Sequence, residues 1–127
     1  NITGGALLRI ATFMNHIEIA KLLIKKEADV NAVNENGWTP LYITAQEGHL
    51  EIAQLLIKQD ANINVVDKYG NTPLHTAIKK GYIKMAEFLI ENKANIHATN
   101  NDGYTPLDYV DQSKHPDFYD LLQDLTN

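Results

Sequence analysis

The chain has 127 residues, no cysteine, a formal net charge of -5 and an isoelectric point near 5.4. That length carries one compact core and is too short for two ordinary domains, and the missing thiols exclude disulfide scaffolds, thiolate metal sites and cysteine nucleophiles while permitting a reducing cytoplasm. The acidic balance opposes the attraction to phosphate on which non-specific nucleic-acid affinity rests; no apolar run is long enough to cross a bilayer, and no basic-then-apolar leader opens the chain. A soluble globular unit that inserts in no membrane and binds no nucleic acid is therefore expected.

Repetition organises everything else. Gly4, Gly37, Gly70 and Gly103 recur every 33 residues, and the columns around them agree: Asn1, Asn34, Asp67 and Asn100; Ala28, Ala61 and Ala94; Val30, Ile63 and Ile96. Three full units, 1–33, 34–66 and 67–99, precede a shorter fourth, 100–127.

The first unit has Ala6 and Leu7 in the columns where Thr and Pro recur later, so its first helix is expected to be poorly capped and frayed. Phe13 and Met14 place apolar side chains where a terminal unit would be polar, which favours an array entered midway over a degenerate N-terminal cap. In the later units "TPLY" (Thr39 to Tyr42), "TPLH" (Thr72 to His75) and "TPLD" (Thr105 to Asp108) each predict a helix start, with Thr as cap and Pro at the first helical position. Those helices are short, because Gly48 and Gly81 supply the left-handed residue that ends them, with Asn15 in the same column.

A second helix follows in every unit. Its apolar positions have helical spacing: Ile19, Leu22 and Leu23; Ile52, Leu55 and Leu56; Met85, Phe88 and Leu89; Phe118, Leu121 and Leu122. Then come "ADVNAVNENG", "ANINVVDKYG" and "ANIHATNNDG", a β-branched residue among Asn, Asp and Gly, which is the chemistry of a tight hairpin-like turn. In the fourth unit Lys114 replaces the loop glycine, Pro116 is added, and Asp111 and Gln123 turn apolar columns polar, as a C-terminal cap requires.

The pattern G-x-TPLH-x-A-x-x-x-G, a Leu-Leu helix and A-N-I-N, read from Gly70 to Ala98, resembles the ankyrin repeat, and the resemblance extends through the whole chain. It implies an all-α repeat solenoid: a stack of helix-turn-helix units with projecting β-hairpin or turn fingers, stabilised by neighbour contacts. The glycine that this family usually places after the second helix is replaced by Glu27, Asp60 and Lys93, so a positive φ there would cost about 1 kcal/mol each relative to glycine.

No catalytic or cofactor constellation emerges. Ser113 is the only serine and lies in no G-x-S-x-G elbow, and no phosphate-cradling G-x-x-x-x-G-K is present. His16, His49 and His115 share a column that Tyr82 completes, and His75 takes the TPLH position; units one repeat apart are separated by about 8–10 Å, too far for shared metal ligation. These histidines are expected to bond turn backbones and bridge units, and His97 to bond locally. Glu18, Glu51 and Asp29 recur as framework residues on a solvated face.

Function is expected where the units differ. The variable finger tips are Glu35, Asn36 and Trp38, then Lys68, Tyr69 and Asn71, then Asn101, Asp102 and Tyr104. The variable first-helix ends are Gln46 and Glu47, Lys79 and Lys80, and Gln112 and Ser113. By the resemblance, such positions line a concave groove where a polypeptide partner docks. Trp38, Tyr69 and Tyr104 are its expected anchors, with Tyr69 leaning on the adjacent turn and less exposed than the other two. Lys68, Lys79 and Lys80 make the third unit locally basic, suited to an acidic spot on a partner. The expected function is a non-catalytic, monomeric protein-binding module, cytoplasmic in its own cell or in a host cell if secreted as an effector. The alternative is a regulatory or targeting segment of a larger enzyme, channel or effector whose activity lies elsewhere.

Overall fold

In the computed structural model, which describes residues 3–127, the helices come in pairs. Asn1, first of the finger column, lies outside the described residues. Helices α1 (Gly4–Phe13), α3 (Pro40–Glu47) and α5 (Pro73–Lys79) form an inner row with a short 3-10 turn, Pro106–Tyr109. Helices α2 (Ile17–Lys25), α4 (Leu50–Lys58), α6 (Ile83–Glu91) and α7 (Pro116–Thr126) form the outer row. Along the inner row α1 packs on α3, α3 on α5, and α5 on the 3-10 turn. Among the described residues there is no strand, and no helix is long and apolar enough to cross a membrane.

The core is built from repeated columns. Leu8, Leu41 and Leu74 are buried along the inner row, and Ala20, Ala53 and Ala86 along the outer row, where a methyl side chain lets helices approach closely. Leu56, Leu89 and Leu122, one per successive unit, are fully buried beside them. A further column, Ile19, Ile52 and Met85, ends exposed in the first unit: Ile19 is 50% exposed while Ile52 is fully buried, because Ile52 has a preceding unit to cover it.

The helix starts follow the sequence logic at two of three places. Thr39 Oγ1 accepts from the Tyr42 amide at 3.1 Å, and Thr72 Oγ1 from the His75 amide at 3.2 Å, each with Pro at the first helical position. At the third place only a 3-10 turn forms. Asp108 Oδ2 turns back to accept from the Thr105 amide at 2.8 Å, and Val110 adopts an extended conformation that ends the turn. Asp111 then organises the loop that lacks a glycine, accepting from Ser113 Oγ at 2.6 Å and from the Ser113 and Lys114 amides. These bonds, the Ser113 hydroxyl foremost, hold the Asp111 carboxyl below its usual range.

The frayed first helix expected from Ala6 and Leu7 is not what forms. Helix α1 starts three residues before the later pattern would place it and runs for ten residues, capped by Thr3, whose Oγ1 accepts from the Ala6 amide at 3.1 Å. Gly5 permits this early start, since a Cβ there would lie 2.4 Å from the Ala32 methyl in the following finger. The positions after the outer helices do carry positive φ: Glu27 at 65°, Asp60 at 61° and Lys93 at 74°.

Two outcomes are expected. Replacing Lys93 or Asp60 by glycine should stabilise the stack by about 0.5–1 kcal/mol each, relieving left-handed strain; urea unfolding of the two variants would show it as raised midpoints. Amide exchange should be faster in α1, covered on one side, than across Thr72 to Lys80, which has neighbours on both. Equal protection would contradict that expectation.

Candidate functional site

Each finger is fixed by one side-chain oxygen. Asn34 Oδ1 accepts from the amides of Asn36 and Trp38 at 2.9 and 3.0 Å. Asp67 Oδ1 does the same for Tyr69 and Asn71, and Asn100 Oδ1 for Asp102 and Tyr104. A short polar side chain that bonds amides two and four residues on mimics backbone and sets the turn. The closing backbone bonds Asn34 N to Trp38 O, Asp67 N to Asn71 O and Asn100 N to Tyr104 O make these turns hairpin-like without strands. Neighbouring fingers are then tied together, Lys68 N donating to Asn36 O and Asn101 N to Tyr69 O.

The residue after Thr-Pro-Leu solves a different problem in each unit. In the third unit His75 is buried, with Nδ1 facing the Thr72 amide at 3.2 Å and Nε2 facing the Tyr104 carbonyl at 2.8 Å. An amide only donates and a carbonyl only accepts, so the neutral ring with its proton on Nε2 satisfies both. Burial lowers the His75 pKa, against the opposing pull of the Tyr104 carbonyl. In the second unit Tyr42 takes the position, its hydroxyl donating to Asp67 Oδ2 and accepting from Thr76 Oγ1, both at 2.8 Å and both in the next unit. Burial, with Asp67 adding to it against the Thr76 bond, pushes the phenol well above its ordinary pKa. The sequence signal for this bridge was present in the Tyr42 and Asp67 columns, but nothing in spacing alone pairs a helix residue with the following finger.

His49 bridges units as expected, its Nδ1 donating to the Thr12 carbonyl at 2.8 Å. Asn31 and Asn64 form a second ladder, their Oδ1 atoms accepting from the Asn62 and Asn95 amides at 2.8 Å. His97, in the same column, has its amide bonded to Asn95 Oδ1.

The candidate binding residues separate into three groups. Trp38 is half-buried and stacks on Tyr42 with ring centroids 5.6 Å apart, so its ring rests on the inter-unit bridge. Tyr104, 50% exposed, meets Tyr109 edge to face at 5.6 Å. Tyr69 differs from expectation: at 59% exposure it is open to solvent, because its finger is held through the backbone, and Lys68 Nζ lies 5.2 Å above its ring. Asn71 and Asn101 are occupied in holding fingers, Asn71 Oδ1 accepting from Asn100 Nδ2 and Asn101 Nδ2 donating to the Lys68 carbonyl. Glu35, Lys68, Lys79, Lys80 and Asp102 are exposed, while Asn36, Gln46 and Glu47 are half-buried.

Between α1 and α3 the inner face opens into a cavity of about 320 Å³. Trp38, Gln46 and Glu47 line it together with Arg9, Ile10, Phe13 and Ile43. The contribution of the first unit was missed among the site residues, although Phe13 and Met14, each 57% exposed, had stood out as apolar at the helix end.

Paired helices joined by turn fingers, stacked at a fixed period, define a helical repeat protein. The chain belongs to the ankyrin-repeat family: the family model described as ankyrin repeats (3 copies) matches residues 7–100. It is similar to protein phosphatase 1 regulatory subunit 27 of Mus musculus and of Homo sapiens, 41% identical over 46 residues, which is 36% of this chain and 30% of either relative. It is similar to protein phosphatase 1 regulatory subunit 12A of Mus musculus at the same identity over 46 residues, covering 4% of that relative. The aligned stretch thus spans at most 30% of these relatives' length. The repeats and this similarity support a protein-interaction module.

Acidification tests the His75 geometry. Because its folded pKa is lowered, the unfolded chain binds the proton more readily, so the contribution of His75 is fully present above about pH 6.5 and is lost as pH falls through the lower folded value. Urea unfolding of wild type and His75→Gln between pH 5 and 7.5 should show a shallower pH dependence in the variant; identical slopes would contradict the assignment.

Proposed function

We propose that this stack is a non-catalytic module that binds a polypeptide partner on its inner face, in the concave groove between finger tips and inner helices. The observation that carries the proposal is the apolar cavity between α1 and α3, bordered by Trp38, Glu47 and Gln46 from the variable columns. Apolar surface concentrated in a cleft with a polar border is the composition of a protein-binding hot spot. Tyr69 and Tyr104 extend aromatic surface along the finger tips, and Lys68, Lys79 and Lys80 supply charge that steers encounter and register. The names of the phosphatase regulatory subunits agree with a chain that acts by binding another protein, and the activity so regulated would belong to the partner.

The test is a paired measurement of affinity and melting on one set of variants, using a partner isolated on the wild-type chain. Trp38→Ala and Tyr104→Ala should each weaken binding by at least about tenfold, roughly 1.4 kcal/mol. Tyr69→Ala should leave melting unchanged, since its ring is open to solvent. Leu56→Ala should do the reverse of the aromatic variants, destabilising by about 2–5 kcal/mol through a cavity in the core. Aromatic variants that bind normally but unfold early would show that these rings only pack fingers.

A further inference from the structure

The ends of the inner helices carry a gradient of chemistry along one line of the inner face. Over the first three units the column Phe13, Gln46, Lys79 and the next column, Met14, Glu47, Lys80, both run from apolar through uncharged or acidic to basic, before Gln112 and Ser113 return them to uncharged polar residues in the fourth. Phe13 and Met14 are each 57% exposed, and Lys79 and Lys80 are exposed in the third unit. Lys68 joins them from the finger of the same unit. Among the described residues the ion pair within 4.0 Å is Lys21 with Glu18 on α2, so these three ammonium groups have no carboxylate partner there. Lys68 and Lys79 are instead held over the Tyr69 and Tyr109 rings, at 5.2 and 5.6 Å, which restrains their heads while leaving them hydrated. In the first two units the cavity is lined by Ile10, Phe13, Trp38 and Ile43 together with the charged Arg9 and Glu47. Its volume of about 320 Å³ has room for a bulky side chain.

We propose that the groove selects a bipartite peptide, in which a bulky apolar side chain enters the α1–α3 cavity and one or more carboxylates lie over Lys68, Lys79 and Lys80. This deepens the groove reading of the preceding section and rests on it. The two anchors are one and a half inner-helix spacings apart, about 12–15 Å, which an extended chain crosses in about four residues. The polypeptide therefore runs along the stack, across successive units. Charge complementarity decides the occupant: three exposed ammonium groups without a carboxylate partner among the described residues call for an acidic segment of a partner polypeptide.

The experiment is selection of phage-displayed random dodecapeptides on the immobilised 127-residue chain, followed by fluorescence-anisotropy titration of the enriched peptides. Enriched sequences should share an aromatic or large aliphatic residue and an Asp or Glu about three to five residues away. The variant Lys79→Glu/Lys80→Glu should weaken these peptides by at least about tenfold and, used as the bait, should enrich Lys or Arg at the same spacing. Phe13→Ser should abolish the apolar preference, and circular dichroism melting of both variants confirms the fold. Peptides lost on Trp38→Ala but indifferent to Lys79→Glu/Lys80→Glu would overturn this specificity while leaving the groove reading intact. Peptides indifferent to Trp38→Ala would overturn both. Self-association abolished by Phe13→Ser would assign the face to a second copy and overturn the proposal, and a selection that enriches nothing counts against it equally.

Discussion

No single unit of this chain can cover its own apolar face. A pair of helices under ten residues long, α3 with α4 or α5 with α6, is too small to enclose Leu41, Ile52 and Leu74, which are fully buried once neighbouring pairs close over them. Burial of those columns is therefore a property of the stack, and every other feature presupposes it. The Ala20, Ala53 and Ala86 column lets outer helices come close, and the leucine columns fill what remains. Where no second unit packs on a column among the described residues the same chemistry is exposed, as at Ile19 and Ile10.

Polar groups then decide the relative setting of the units. Backbone groups in the fingers cannot be satisfied by helices, and Asn34, Asp67 and Asn100 satisfy them with one side-chain oxygen each. Asp67 also receives the Tyr42 hydroxyl, so the acid that shapes one finger is the anchor for the preceding inner helix. His75 makes the corresponding link one unit later, to the Tyr104 carbonyl. Finger geometry and helix stacking are thus coupled, and Trp38, lying on Tyr42, is positioned by that coupling. In the proposed binding mode the Trp38 ring would meet a partner from a position already fixed by its stacking on Tyr42, which would lower the ordering cost of binding.

The site itself divides by which atoms are free. Asn71 and Asn101 vary between units yet have their amide groups engaged with neighbouring fingers, whereas the Tyr69 finger is held through backbone and its ring is 59% exposed. Variation between repeats marks positions that are not dictated by the repeat, but it does not distinguish a residue fitted to its neighbour from one left for a partner. The first unit shows the complementary gap: Phe13 and Ile10 line the cavity beside Trp38, and only the packing of α1 on α3 brings them there.

Much of this protein was legible by itself in the chain. A 33-residue period, Thr-Pro starts, glycine stops and paired leucines determine helix order and the core columns, because each is a local rule repeated with a local cause. The positive φ of Glu27, Asp60 and Lys93 was suggested only through the resemblance, by the glycine that the family usually places after its second helix. What tertiary structure alone decided were choices between local alternatives of similar energy. Thr3 rather than Ala6 marks the first helix start because Gly5 can lie against Ala32, a contact between a helix and a finger distant in sequence. Thr105-Pro106 opens a 3-10 turn rather than an α-helix because Val110 turns extended and Asp111 gathers the loop amides that follow. The Tyr42–Asp67–Thr76 bridge and the α1–α3 cavity exist only once units stack, since their members come from different repeats and meet through burial that no one repeat can supply.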